Sequence, residues 1–208
     1  MIENNTLQEF LSTLSSKAPV PGGGGASAIG GAMGNALGQM VANLTIGKKR
    51  YADVEDEIKL LLEQMKALQQ DFVSLADGDA EVFAPLAAAY SLPYGTEEEK
   101  AYKDRIMEEN LLAASLVPIQ IMEKSMEMLR ILEALAEKGS RMAVSDVGVG
   151  VQFVRTALLG AVMNVYINTK SMKNRERAEE LNACADKMVA DGTKKADEIY
   201  GMVLEKLR

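Results

Sequence analysis

The fold is decided by residues 18–47, which read APVPGGGGASAIGGAMGNALGQMVANLTIG and contain no charged side chain. Gly30, Gly34 and Gly38 recur every fourth residue, and so do Asn35, Gln39 and Asn43. A helix without a charged face is either the buried centre of a bundle or a membrane span. The glycine spacing suits close helix–helix contact in either setting. The repeated amides and glycines leave the segment only weakly hydrophobic, which favours a central helix packed tightly by its neighbours. A second such stretch runs from Met142 to Thr169, where Asp146 and Arg155 are the only charges.

Outward from these two segments the spacing is helical almost everywhere. Thr6 with Glu9 forms a capping-box pattern ahead of Leu7, Phe10, Leu11 and Leu14. Val54, Ile58, Leu61, Leu62, Met65, Leu68, Phe72 and Leu75 mark a long amphipathic helix reaching about Tyr90. Leu92-Pro93-Tyr94-Gly95 breaks it, and Thr96 with Glu99 starts the next, which should kink at Pro118 and end at Gly139. Leu181, Met188, Ile199, Val203 and Leu207 mark the last. The expectation is an all-α, multihelical up-and-down bundle with long helices, residues 1–208 forming one domain.

Composition narrows the chemistry. There are 23 Lys plus Arg against 30 Asp plus Glu, a net charge of −7, which argues against binding a phosphate backbone, so no nucleic-acid partner is expected. Histidine is absent, which excludes imidazole bases, His triads and His-ligated metals. One cysteine, Cys184, excludes an intrachain disulfide framework and a cysteine-rich zinc site. The start, MIENNTLQEF, has neither the basic nor the apolar region of a signal peptide, so a cytoplasmic location and no membrane partner are expected.

Four stretches could carry chemistry. Pro19-Val20-Pro21-Gly22-Gly23-Gly24-Gly25 is either a permissive turn or a loop whose backbone approaches an anion at a helix start. Lys48-Lys49-Arg50, after Asn43 and Thr45, either complements a helix dipole or anchors an anionic substrate tail. Asp79, four residues before Phe83, lies beside an apolar stripe, where a carboxyl without a partner has a raised pKa; otherwise it belongs to a solvent-facing acidic turn. Asp146 is alone in an apolar segment. It pairs with Arg155 or a lysine, caps a helix with Ser145, or meets a cationic substrate, because burying a lone carboxylate costs several kcal/mol. Asn164 and Asn168 share one helix face. On a continuous helix Asp146 and Asn164 would be about 27 Å apart, so they share a site only through a helix break or a second subunit.

Taken in order, these motifs closely resemble the folate cyclodeaminase/cyclohydrolase family. The resemblance is carried by Pro19–Ser27, Met40–Tyr51, Asp79-Ala-Glu-Val-Phe83, Leu92-Pro93 with Glu97–Lys100, Val117-Pro118, Val144-Ser-Asp-Val-Gly148 and Gly160–Asn168. It covers nearly the whole chain. One departure is Gly25, where many members have serine after three glycines.

The resemblance implies a homodimeric helical bundle acting on a tetrahydrofolate derivative, with no cofactor and no metal. Two reactions share the carbon bridging N5 and N10: hydrolysis of 5,10-methenyltetrahydrofolate to 10-formyltetrahydrofolate, and release of ammonia from 5-formiminotetrahydrofolate. An inactive folate binder and a purely structural dimer are the remaining alternatives. Asp146, Asp79 and Lys48 are implied as catalytic. Substrate contact is implied for Pro21, Gly22, Gly23, Gly24, Gly25, Asn43, Thr45, Asn164 and Asn168.

Overall fold

The structure, a computed structural model, describes residues 4–208; the first three residues of the stretch inspected for a leader lie outside it. Among the described residues there are six α-helices and no strand: α1 (Leu7–Leu14), α2 (Gly23–Thr45), α3 (Glu55–Tyr90), α4 (Glu97–Lys138), α5 (Val144–Ser171) and α6 (Arg175–Leu207). Single 3-10 turns at Lys49–Tyr51 and Arg141–Ala143 fill two of the connections. Both capping boxes form, Thr6 with Glu9 and Thr96 with Glu99, and Gly139 ends α4.

From α2 onward each helix packs on the next, as short connections demand, and the two charge-poor helices sit at the centre. α5 lies against α2, α4 and α6, and α2 against α3, α4 and α5. α2 and α5 run antiparallel: Gly23 faces Asn164, while Gly34 faces Gly150 and Val154. At their crossing a Cβ on Gly34 would stand 2.7 Å from the carbonyl oxygen of Gly150. Two facing glycines allow backbones this close, while Gly38 makes room for the side chains of Met65 and Met128 instead. Phe72, Met65, Met128, Leu132 and Leu158, all fully buried, fill the core around this crossing. Each such side chain stabilises the fold by about 1.5–3 kcal/mol relative to exposure.

By length and hydropathy alone, Arg141–Ser171 is apolar enough to cross a bilayer, with a mean hydropathy of 1.3. Its place between α2, α4 and α6 accounts for that composition without lipid.

α4 runs uninterrupted through Pro118, which has no N–H to offer the carbonyl of Ala114. The side-chain amide of Asn168, on α5, donates to that carbonyl at 2.8 Å. This position, expected to contact substrate, therefore repairs a neighbouring helix with its Nδ2.

Candidate functional site

The expected site residues gather at the two ends of the α2–α5 pair. At the start of α2, the N-cap residue Gly22 has no side chain to offer, and α3 supplies one instead. Oδ2 of Asp79 accepts the Gly25 N–H at 2.9 Å. Burial pushes the Asp79 carboxyl above its ordinary value of 3.8, and the Gly25 N–H opposes this. Gly24 is packed so closely against the carboxylate that a Cβ would fall onto it. Gly25 is less constrained: its Cβ would make ordinary contacts with Pro21 and Ala76 at 3.5 Å. The fourth glycine therefore leaves the Asp79 interaction intact, since that bond uses only backbone. Asn164 donates to Gly160 O at 3.0 Å and borders Gly23, while open space surrounds Gly22.

At the other end of α2 lies a cleft of about 460 Å³, lined by Leu44, Lys48, Arg50, Tyr51, Ser140, Arg141, Met142, Ala143 and Asp146. Asp146 is half-buried in the first turn of α5. Two of its bland explanations fail here. Arg155 pairs instead with Asp197 on α6, at 3.6 Å, and the α5 N-cap position is Ala143, without a side-chain cap. Among the described residues no ion pair engages Asp146, Lys48, Arg50 or Arg141. A net-acidic chain thus presents three unpaired cations around one carboxylate.

Two ties hold this cleft together. The Thr45 hydroxyl donates to Val41 O at 2.7 Å and accepts the Ser140 N–H at 2.9 Å. Thr45 is fully buried, so it belongs to the frame of the cleft and not to its wall. The Tyr51 hydroxyl accepts the Arg141 N–H at 3.0 Å. Asn43 is exposed, in a neighbouring groove with Met40, Leu44 and Gln69. Sequence reasoning missed Tyr51 and Arg141. Tyr51 closes the basic run, but Arg141 is ninety residues away and only folding brings it there.

The two ends do not meet within one protomer, because α5 is continuous from Val144 to Ser171 and keeps Asp146 and Asn164 about 27 Å apart. Between them the outer face of α2 and α5 exposes Met33, Met40, Val149, Phe153 and Met163. Among the described residues no three carboxylate or thiol groups cluster as metal ligands would.

A family model described as formiminotransferase-cyclodeaminase matches residues 6–187. The chain is 40% identical over 207 residues to the methenyltetrahydrofolate cyclohydrolase of Methylorubrum extorquens, covering all of both chains. It is 31% identical to the formimidoyltransferase-cyclodeaminase of Rattus norvegicus over 80% of this chain, spanning only 31% of that protein. Among solved structures it resembles the formiminotetrahydrofolate cyclodeaminase of Thermotoga maritima, with a TM-score of 0.81 at 28% identity, covering 100% of this chain and 98% of that one.

Proposed function

The chain belongs to the formiminotransferase-cyclodeaminase family, and from that premise we propose that it is a folate enzyme hydrolysing 5,10-methenyltetrahydrofolate to 10-formyltetrahydrofolate. The observation that carries this reading is the end-to-end match, at 40% identity, to a methenyltetrahydrofolate cyclohydrolase. Residues 1–208 act as one catalytic unit, without a cofactor, in the cytoplasm.

In this reading water adds to the methenyl carbon, a delocalised cation that a carboxylate stabilises. Asp146, in its cleft of unpaired cations, faces that cation and takes the proton from water. Lys48 holds an anionic part of the substrate. Asp79 uses its second oxygen for the amidine-like edge of the pterin, a pairing that suits a carboxylate. Pro21, Gly22, Gly23, Gly24 and Gly25, with Asn164, border that end; Asn43 and the free part of the Asn168 amide make secondary contacts. Thr45 acts through Ser140.

The active enzyme is a homodimer. A two-fold axis across the outer face of α2 and α5, near Met33 and Phe153, places the Asp146 end of one protomer against the Asp79 end of its partner. The exposed apolar side chains on that face and the two half-sites at its ends support the arrangement. Each dimer then has two composite sites.

A second reading, ammonia release from 5-formiminotetrahydrofolate, is favoured by the likeness to the Thermotoga maritima structure. Near-UV absorbance separates the two. Enzyme-dependent loss of the methenyl band, abolished by Asp146→Asn, is the expected result. Appearance of that band from 5-formiminotetrahydrofolate, with ammonia, would favour the second reading, and silence with both substrates would overturn both.

A further inference from the structure

The reaction proposed above needs a proton at N5 as its bond to carbon breaks, and Asp146 alone serves only the attacking water. Two further groups of the cleft carry a transferable proton, Lys48 and Tyr51; Lys48 is exposed and is assigned above to an anionic part of the substrate, which leaves Tyr51. Tyr51 ends the 3-10 turn after α2, half-buried, with its hydroxyl between the α2–α3 and α4–α5 connections. Its oxygen accepts the Arg141 N–H at 3.0 Å, with the Ser140 side chain as a further partner. The Arg141 bond occupies only a lone pair of the phenolic oxygen, and Tyr51 lines the same cleft as Asp146. A tether needs only the accepting oxygen; the phenolic O–H can turn to the Ser140 side chain or to an occupant of the cleft.

We propose that Tyr51 donates its phenolic proton to N5 of the bound substrate. This inference rests on the cyclohydrolase reading and on the cleft as its site. The water oxygen forms the new C–O bond and its first proton passes to the Asp146 carboxylate. The C–N5 bond then breaks, its electron pair goes to N5, and N5 takes the proton of Tyr51. The carbon-bound hydroxyl releases its proton to solvent as the formyl C=O forms. Asp146 returns its proton to the Tyr51 phenolate, so one water is consumed and one proton released per turnover.

The surroundings suit a transient phenolate. The Arg141 N–H holds the Tyr51 hydroxyl below its ordinary value of 10.0; burial opposes this, and Ser140 and the charges of Arg50 and Arg141 assist. Lys48 and Asp146 are the other charged groups of the cleft. Nearby Glu55, on α3, is engaged by Lys59 and the Gly47 N–H.

The test is steady-state hydrolysis of 5,10-methenyltetrahydrofolate by wild type, Tyr51→Phe and Asp146→Asn, each checked for folding by circular dichroism. Tyr51→Phe should lower kcat by about 100-fold or more while KM stays within about threefold, as for loss of a general acid. A fluorinated tyrosine placed at position 51, with a more acidic phenol, should restore turnover and move the alkaline limb of kcat to lower pH. A tether alone would raise KM and leave that limb unmoved. If Asp146→Asn is inactive but Tyr51→Phe turns over at the wild-type rate, the role of Tyr51 is refuted and the cleft stands. If Asp146→Asn also keeps full activity, the cleft is not the site and both inferences fall. If the fluorinated enzyme is active with an unshifted profile, Tyr51 is not the donor. Should Tyr51→Phe unfold, the fluorinated protein still decides, because it keeps the hydroxyl and its bond to Arg141.

Discussion

The side-chain amide of Asn168 donates to the backbone carbonyl of Ala114 at 2.8 Å, the one carbonyl in α4 that Pro118 leaves without its helical donor. Two motifs fifty residues apart in sequence, Val117-Pro118 and the last asparagine of the Gly160–Asn168 stretch, are thereby halves of one packing device. Asn168→Ala should destabilise the protein by about 1–3 kcal/mol, because a buried acceptor is left unpaired. Pro118→Ala supplies the missing N–H, so the double variant should recover part of that loss. Urea unfolding of the four proteins gives the coupling; strictly additive losses would contradict the relationship.

Subunit complementation tests the composite site. Asp146→Asn and Asp79→Asn should each be inactive. In a mixed dimer one site carries both substitutions and the other carries neither. Co-refolding equal amounts should restore about a quarter of wild-type turnover, since half the dimers are mixed and each has one intact site. Activity no greater than that of the separate variants would rule out sharing. Phe153→Glu, on the proposed dimer face, should yield a folded monomer without activity by light scattering and assay.

Asp79 gives the stability curve a definite sign. Burial raises its carboxyl above 3.8 in the folded protein, so between that value and the folded one the native state binds more protons than the unfolded chain. The associated stability is complete below the unfolded value and is lost as pH rises through the folded one. Asp79→Asn keeps an oxygen for the Gly25 N–H and removes the charge. Melting temperatures should therefore move in the variant's favour as pH rises above about 4. A wild type that gains on the variant over this range would contradict the burial argument.

The adjacent glycines should differ sharply. Gly24→Ala forces a methyl onto the Asp79 carboxylate and should cost about 1–3 kcal/mol by overpacking, with loss of turnover. Gly25→Ser adds ordinary contacts inside a helix and should gain a few tenths of a kcal/mol with activity retained. Thermal melts and the methenyl assay check both; equal losses would contradict the packing.

Much of the fold was legible because helices are written locally. The periodicity from Val54 to Leu75, the capping boxes at Thr6 and Thr96, and the stop at Gly139 depend on residues within a turn or two of one another. The charge-free residues 18–47 announced a central helix for the same reason. The site was legible only as a set of motifs. Asp146 has a neighbour of opposite charge in Arg155, yet α6 takes that arginine through Asp197. Thr45 and Asn168 are polar residues in these motifs, and the bonds that tie them to Ser140 and Ala114 are visible only after folding.

Local pattern was enough for the starts of α1 and α4, the ends of α3 and α4, the two central helices and the family resemblance, because caps, glycines and periodic side chains act over a few residues. Folding alone brings Asp79 from another helix to cap α2 and Tyr51 to Arg141, and it keeps Asp146 and Asn164 at opposite ends of α5. The two hydrogen bonds join residues 54 and 90 positions apart. The α2–α5 approach at Gly34 and Gly150 is likewise a distance that no local pattern encodes.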